Sequence, residues 1–244
     1  MAAEFGRSLG YEQLRSGIRP SGRLLLEGAA VVRSLDLSGW RVRELVMSDA
    51  TGLADEMLPR PVKPARVGRR IPAFVDCDFS GLRCRRFDPG IVRFVRCRFA
   101  DVDVEASLGA TRAHFRDCVF SGRWEGNFDA RPAGRDPARR VAVEGNSFVG
   151  CTGFGIQGGI DRWANAFDPE LHVVLQRNGP GWDEVRRLAA TDRHLGHVVT
   201  SLEGRGPFDI GQDWTVLSRL DEPEDLWSQL RRATGSRTGG AGDR

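Results

Sequence analysis

Three stretches decide the fold: Phe74-Val-Asp-Cys77-Asp-Phe79-Ser-Gly81, Phe94-Val-Arg-Cys97-Arg-Phe99-Ala-Asp101 and Phe115-Arg-Asp-Cys118-Val-Phe120-Ser-Gly122. They share the pattern F-x-x-C-x-F-[SA]-[GD], and the step from Phe79 to Phe99 is nearly that from Phe99 to Phe120. Weaker copies flank them, Val32-Arg-Ser-Leu35-Asp-Leu37-Ser-Gly39 upstream and Val143-Glu-Gly-Asn146-Ser-Phe148-Val-Gly150 downstream. Internal repetition at a fixed period marks a structure built from stacked units. Two departures from the period read as insertions. One lies near 50–72 and carries four prolines; the other lies near 129–140 and contains Arg131-Pro-Ala-Gly-Arg-Asp-Pro137, a loop signal.

Inside each period runs a finer one of five. Leu37, Val42 and Met47 are five apart, and Leu35, Trp40 and Leu45 keep the same step two residues earlier. Cys77/Phe79, Leu82/Cys84, Val92/Phe94, Cys97/Phe99 and Val102/Val104 continue this double register. Neither a helix period of 3.6 nor plain strand alternation produces it. A square coil does: each unit of five makes one side and one corner, and four units bring the chain back above its start. The first and third positions of a unit point inward. The remaining positions, such as Ser80, Arg85, Arg96 and Asp101, are polar, as corners and outer faces require. Coils stacked at the strand spacing of about 4.8 Å can pair every backbone group with the coil above or below. Two irregularities mark this register: Pro89 stands at an inward slot, and the register slips by one before Phe115.

The units Cys77-Asp-Phe-Ser-Gly81, Cys97-Arg-Phe-Ala-Asp101 and Leu35-Asp-Leu-Ser-Gly39 resemble those of the pentapeptide-repeat family. The run Asn146 to Asp161 resembles the last coil and exit of divergent members. The resemblance covers about residues 24 to 160. It implies a mainly β fold, a right-handed quadrilateral parallel β-helix, with a C-terminal α-helical appendage. Residues 1–23 are expected to cap the first coil, with a short helix from Tyr11 to Ser16. Residues 161–234 are expected to form the helical region, and 235–244, rich in glycine, a disordered tail. Within that region Trp182, Val185, Leu188, Ala189, Leu195, Val198, Val199 and Leu202 predict one amphipathic helix over 182–202. A short helix is expected from Asp213 to Leu220. Another follows from Asp221 to Ala233, which starts acidic with Pro223 and ends basic.

Composition excludes little. The net charge of +3 gives no strong footprint for nucleic acid. Of the 36 basic residues 35 are arginine, with Lys63 the exception. No apolar run is long enough to read as a transmembrane helix and no secretory signal is visible, so the five cysteines read as reduced thiols in a cytoplasmic protein.

No residue set points to a catalytic, cofactor or metal site. Cys77, Cys97 and Cys118 recur one coil apart and stack in a column, but successive strands sit too far apart to converge on zinc, and small thiols filling the coil is the simpler reading. Gly153-Phe-Gly-Ile-Gln-Gly158 matches G-x-G-x-x-G without the strand–turn–helix setting that dinucleotide binding needs. His194 and His197 are three apart on one helix face with no third ligand marked, and His114 and His172 have no nucleophile beside them. Glu222, Glu224 and Asp225 suit a helix start. Arg60, Lys63, Arg66, Arg69 and Arg70 form a basic run that reads as a solvated insertion, so nucleic-acid contact is not favoured.

The sequence therefore predicts a non-enzymatic protein-binding or scaffold module without cofactor, whose partner is another protein; a homodimer stays open. Two alternatives stand. Some members of the resembled family imitate duplex DNA and bind type II topoisomerases such as gyrase, but eight acids between Ile71 and Phe128 face nine arginines there, so mimicry is disfavoured. An enzyme with its site at the coil–helix junction would need a nucleophile–base pair, and none is legible.

Overall fold

In the computed structural model, residues 8–10, 23–27, 31–47, 73–90, 92–107, 113–129, 142–204, 213–219 and 224–235 are described. The expected Tyr11–Ser16 helix, most of both insertions and nearly all of the tail lie outside these residues. The described chain is mainly β with parallel sheets. Its strands are β1 (Ser8–Gly10), β2 (Arg23–Glu27), β3 (Val31–Arg33), β4 (Arg41–Val46), β5 (Ala73–Val75), β6 (Arg83–Asp88), β7 (Arg93–Val95), β8 (Arg98–Ser107), β9 (His114–Arg116), β10 (Val119–Asp129), β11 (Val143–Glu144), β12 (Cys151–Gln157), β13 (His172–Gln176) and β14 (Trp214–Ser218). The helices are α1 (Trp182–Ala189), α2 (Arg193–Leu202) and α3 (Glu224–Ala233).

From β3 to β12 the chain visits two sheets in turn. One has seven strands in the order β1-β2-β4-β6-β8-β10-β12, and the other five in the order β11-β9-β7-β5-β3. Pairing within both is parallel and follows the repeat. Phe74 pairs in register with Phe94, and Phe94 with Phe115. Cys84 pairs with Val104, and Phe120 with Phe99. Between the sheets, isolated bridges join Asp36 to Asp78, Asp78 to Arg98, Val119 to Ser147 and Ser147 to Ala166.

The inward side chains meet as the period requires. Phe79 stacks on Phe99 at 4.8 Å between ring centroids and an interplanar angle of 4°; Phe99 stacks on Phe120 at 5.0 Å and Phe120 on Phe148 at 5.1 Å. A second column runs Phe74, Phe94, Phe115, with steps of 5.6 and 5.0 Å. The first column continues beyond the expected end at residue 160, because Phe167 stacks on Phe148 at 5.6 Å. Ring separations near the strand spacing follow from parallel in-register pairing. Pro89 is buried, as its inward slot predicts.

Left-handed backbone recurs at two positions of the period. Ser34, Asp76, Arg96, Asp117 and Gly145 have φ between 48° and 71°, and each occupies the same place in its period. Gly39, Gly81, Asp101, Gly122 and Gly150 form a second such set, with φ between 50° and 88°. Short polar residues and glycine tolerate this region best. Arg96 is the exception, and Asp76 holds it with two hydrogen bonds of 2.7 and 2.9 Å.

Three expectations for the C-terminal region need correction. Residues 214–218 form strand β14, not a helix: Trp214, Thr215 and Val216 are aromatic or β-branched, and they pair antiparallel with His172–Gln176. The helix expected over 182–202 is two helices. The chain leaves helical geometry at Asp192, which is extended and whose carboxylate accepts from Leu195 N–H at 2.7 Å as the cap of α2. The region 161–234 is thus a hairpin with three helices rather than helices alone. Its core, Val173, Leu175, Trp182, Val185, Leu188, Leu195, Val199, Leu202, Leu217, Trp227 and Leu230, is separate from that of the sheets. At the other end, β1 falls within the expected cap and extends the seven-stranded sheet by pairing with β2.

Candidate functional site

The outer face of β4, β6 and β8 carries a ladder of charged side chains. Outward positions alternate with inward Val42, Cys84 and Val104, so Arg41 lies in register with Arg83 and Arg83 with Asp103. Arg83 reaches Asp101 at 3.1 Å and Arg85 reaches Glu105 at 3.3 Å. Arg41 and Arg43 are exposed and have no ion-pair partner among the described residues. A shallow groove runs between these side chains, lined by Arg41, Arg83, Arg85, Asp103 and Glu105. Inside it, Asp103 Oδ1 is buried with no hydrogen-bond partner. The arrangement presents charges of both signs on a stiff sheet; like charges on neighbouring strands, as at Arg41 and Arg83, favour an anionic counterpart.

Adjacent periods are cross-linked outside by charge as well. Arg96 pairs with Asp76, Arg116 with Glu144 and Arg86 with Glu44. The exposed pairs Arg96–Asp76 and Arg116–Glu144 contribute little stability singly, whereas Glu44 is buried.

The cysteine column lies inside. Cys77, Cys97 and Cys118 are buried. Cys97 Sγ donates to Phe74 O at 3.3 Å, and Cys77 Sγ to Val75 O at 3.4 Å. Hydrogen bonding with Cys118 pushes the Cys97 thiol up to about 12, and hydrogen bonding with Cys97 raises Cys77 further. Burial raises Cys84 to about 11 and Cys151 to about 12. All five cysteines are free and buried. The thiolate is the reactive form. Ellman's reagent at pH 8 should therefore find almost no reactive thiol in the folded protein and five in guanidinium; rapid native reaction of two or more contradicts the placement.

The same column ends on amides. Asn146, 1% exposed, accepts from Cys118 N–H at 2.9 Å through Oδ1 and donates to Phe115 O at 3.0 Å through Nδ2. Asn165, one period on, accepts from Asn146 N–H and donates to Val143 O. Asn146→Ala leaves a buried donor and a buried acceptor unanswered and should cost about 2–3 kcal/mol in denaturant unfolding. An effect under about 0.5 kcal/mol would show that water reaches both groups.

No family model, curated protein or solved structure matches the chain. The site must be read from its own geometry.

The other residues singled out from sequence are scattered. Gly153 to Gly158 lies in and just beyond edge strand β12, and a single 3-10 turn at Arg162–Ala164 follows rather than a helix. His194 and His197 are both exposed on α2. His114 sits on β9, half-buried, and accepts from Ala142 N–H at 3.1 Å; burial lowers its pKa, with Arg93 and Arg116 adding to the effect. Glu224 and Asp225 occupy the first turn of α3, where Glu224 pairs with Arg219. Glu222 and the basic run Arg60–Arg70 fall outside the described residues. Among the described residues no group of three or more His, Cys, Asp or Glu is placed to hold a metal ion. No helix among them is long and apolar enough to cross a membrane.

His172 is the residue whose setting the sequence least suggests. It is 3% exposed and lies between the hairpin and β12. Its only sequence signal is an imidazole in an otherwise apolar run, Leu171-His-Val-Val-Leu175.

Proposed function

We propose that the chain is a right-handed quadrilateral parallel β-helix of the pentapeptide-repeat kind and that it works as a non-enzymatic protein-binding or scaffold module. Alternating visits to two parallel sheets, two sets of left-handed positions and in-register aromatic columns support the coil. Right-handedness is the rule for crossovers that return a strand parallel to its predecessor. The observation that carries the functional reading is the outer face of β4 and β6, where exposed Arg41 and Arg43 stand beside the paired Arg83 and Arg85 on an unyielding sheet. Such a face suits a protein partner offering carboxylates.

Duplex mimicry draws little support from the outer charges: Asp76, Asp101, Glu105, Glu125 and Glu144 each pair with an arginine. The junction between sheets and helices is filled by packed side chains of the hairpin, which favours a structural role there over catalysis. Affinity capture from the native host with the full chain, compared with Arg41→Glu/Arg43→Glu, tests the reading. A saturable protein partner lost in the double variant is expected. A partner held equally by both, or none at physiological salt, removes it.

A further inference from the structure

Strand β12 ends the seven-stranded sheet, so among the described residues its outer backbone groups have no further strand to pair with. An unprotected edge of this kind invites unwanted pairing. The β13–β14 hairpin covers it with side chains rather than with a hydrogen-bonded ladder. Thr215 Oγ1 donates to Ile156 O at 2.9 Å, and Gly153 N–H donates to Ser218 Oγ at 2.8 Å. Neither contact changes with pH. The third does: His172 Nε2 lies 2.7 Å from Cys151 O.

The surroundings fix the ring's protonation. His172 Nδ1 accepts from Asp168 N–H at 2.8 Å, so Nδ1 carries no proton and Nε2–H donates to the Cys151 carbonyl. The ring stands edge-on to Phe154 at 5.0 Å and to Phe167 at 6.0 Å, the last aromatics of the column. We propose that His172 is a pH-sensitive latch, neutral when the C-terminal hairpin is docked on β12, and that its protonation undocks the hairpin and bares the sheet edge.

A second proton would sit on Nδ1 and face the Asp168 N–H, donor against donor, inside an apolar cage. Burial accordingly holds the ring's pKa below its ordinary value, while the Cys151 carbonyl and the Asp168 carboxylate oppose the shift. Asp168, on the preceding turn, is the charged group facing the ring; its carboxylate also accepts from Glu170 N–H. The neighbours from the other elements are Cys151, whose thiol is pushed up to about 12 and stays neutral, and Ser218, the ring's register partner on β14. The sign follows from linkage. Between the docked ring's lowered pKa and the ordinary histidine value of about 6.5 the undocked state binds the extra proton, so docking is fully stable above about 6.5 and weakens as pH falls toward the docked ring's pKa.

Amide hydrogen exchange in the full chain tests this from pH 7 to pH 5, corrected for intrinsic rates. The opening constant of Gly153 N–H, which donates to Ser218 Oγ across the docked contact, should rise by up to about tenfold per pH unit below about 6.5, while the interior strand β8 stays flat. His172→Gln should flatten the Gly153 response. His114→Gln should leave it unchanged, because that ring bonds Ala142 and not the hairpin. Titration of the His172 ring by NMR in the wild-type protein gives a second readout that needs no variant. Gly153 protection that is flat with pH, a slope retained in His172→Gln, or a ring titrating at or above about 6.5 each overturns the proposal.

Discussion

Replacing Phe99 by alanine should lower the unfolding free energy by about 3–5 kcal/mol, the range for removing a fully buried phenylalanine. Phe99 has no solvent exposure and is stacked between Phe79 and Phe120, with Phe94 and Trp124 edge-on at 5.4 and 5.8 Å. Its loss removes contacts to two neighbouring periods at once, and the rings above and below are held by their own backbone hydrogen bonds, Phe79 N–H to Arg98 O and Phe120 N–H to Ser147 O, which limits collapse of the cavity. Denaturant unfolding followed by far-UV circular dichroism measures the change. A shift under about 1 kcal/mol would mean that the ring is not enclosed.

Gly122→Ala should be almost as damaging, for a different reason. Gly122 lies in β10 at φ +88°, and an added Cβ would meet Val102 O at 2.3 Å and Val102 N at 2.7 Å. Both are backbone atoms of the neighbouring strand and cannot turn away. The left-handed conformation and the overlap together should cost about 3 kcal/mol. Gly81→Ala is the matched comparison. Gly81 holds the equivalent position of its period at φ +70°, but its added Cβ meets only Gly39 atoms at 3.6 Å. That variant should lose about 1 kcal/mol, the conformational part alone. Equal losses in the two variants would contradict the close approach of periods at Gly122.

The contrast between these glycines shows what the sequence makes legible. Phe79, Phe99 and Phe120, one period apart, announce which side chains stack, because a fixed chain length per period leaves them no other place. Gly81 and Gly122 are read as corners from the same repeat, yet which of them touches backbone depends on the register slip between Phe120 and Gly122 in the pairing of β8 with β10. A slip of one residue moves a Cβ by ångströms and leaves no trace in composition. The column outruns its expected end for a related reason. Asn165-Ala-Phe167 repeats Asn146-Ser-Phe148 after a slightly shortened period, in which the turn at Arg162–Ala164 takes the place of a strand.

The C-terminal region is less legible because its strands pair neither with sequence neighbours nor at the repeat spacing. His172–Gln176 and Trp214–Ser218 are separated by two helices, and each run alone is too short to declare itself a strand. Their alternation becomes meaningful only with both cores in view. His172 and Val174 turn toward the aromatic column, while Val173 and Leu175 turn toward the helices. The polar side chains that close β12 are hidden from the sequence for the same reason: nothing near Thr215 or Ser218 names Ile156 or Gly153 as a partner. The outward arginines are legible individually, but their assembly on β4 and β6 depends on the long step between periods at 48–72.

The most direct measurement is a set of ring-to-ring nuclear Overhauser effects in protein labelled only at phenylalanine. The stacked arrangement predicts cross-peaks joining Phe79 to Phe99, Phe99 to Phe120 and Phe120 to Phe148, each pair a full period or more apart in sequence. Rings that instead show contacts only to sequence neighbours, or to partners out of this order, would contradict it.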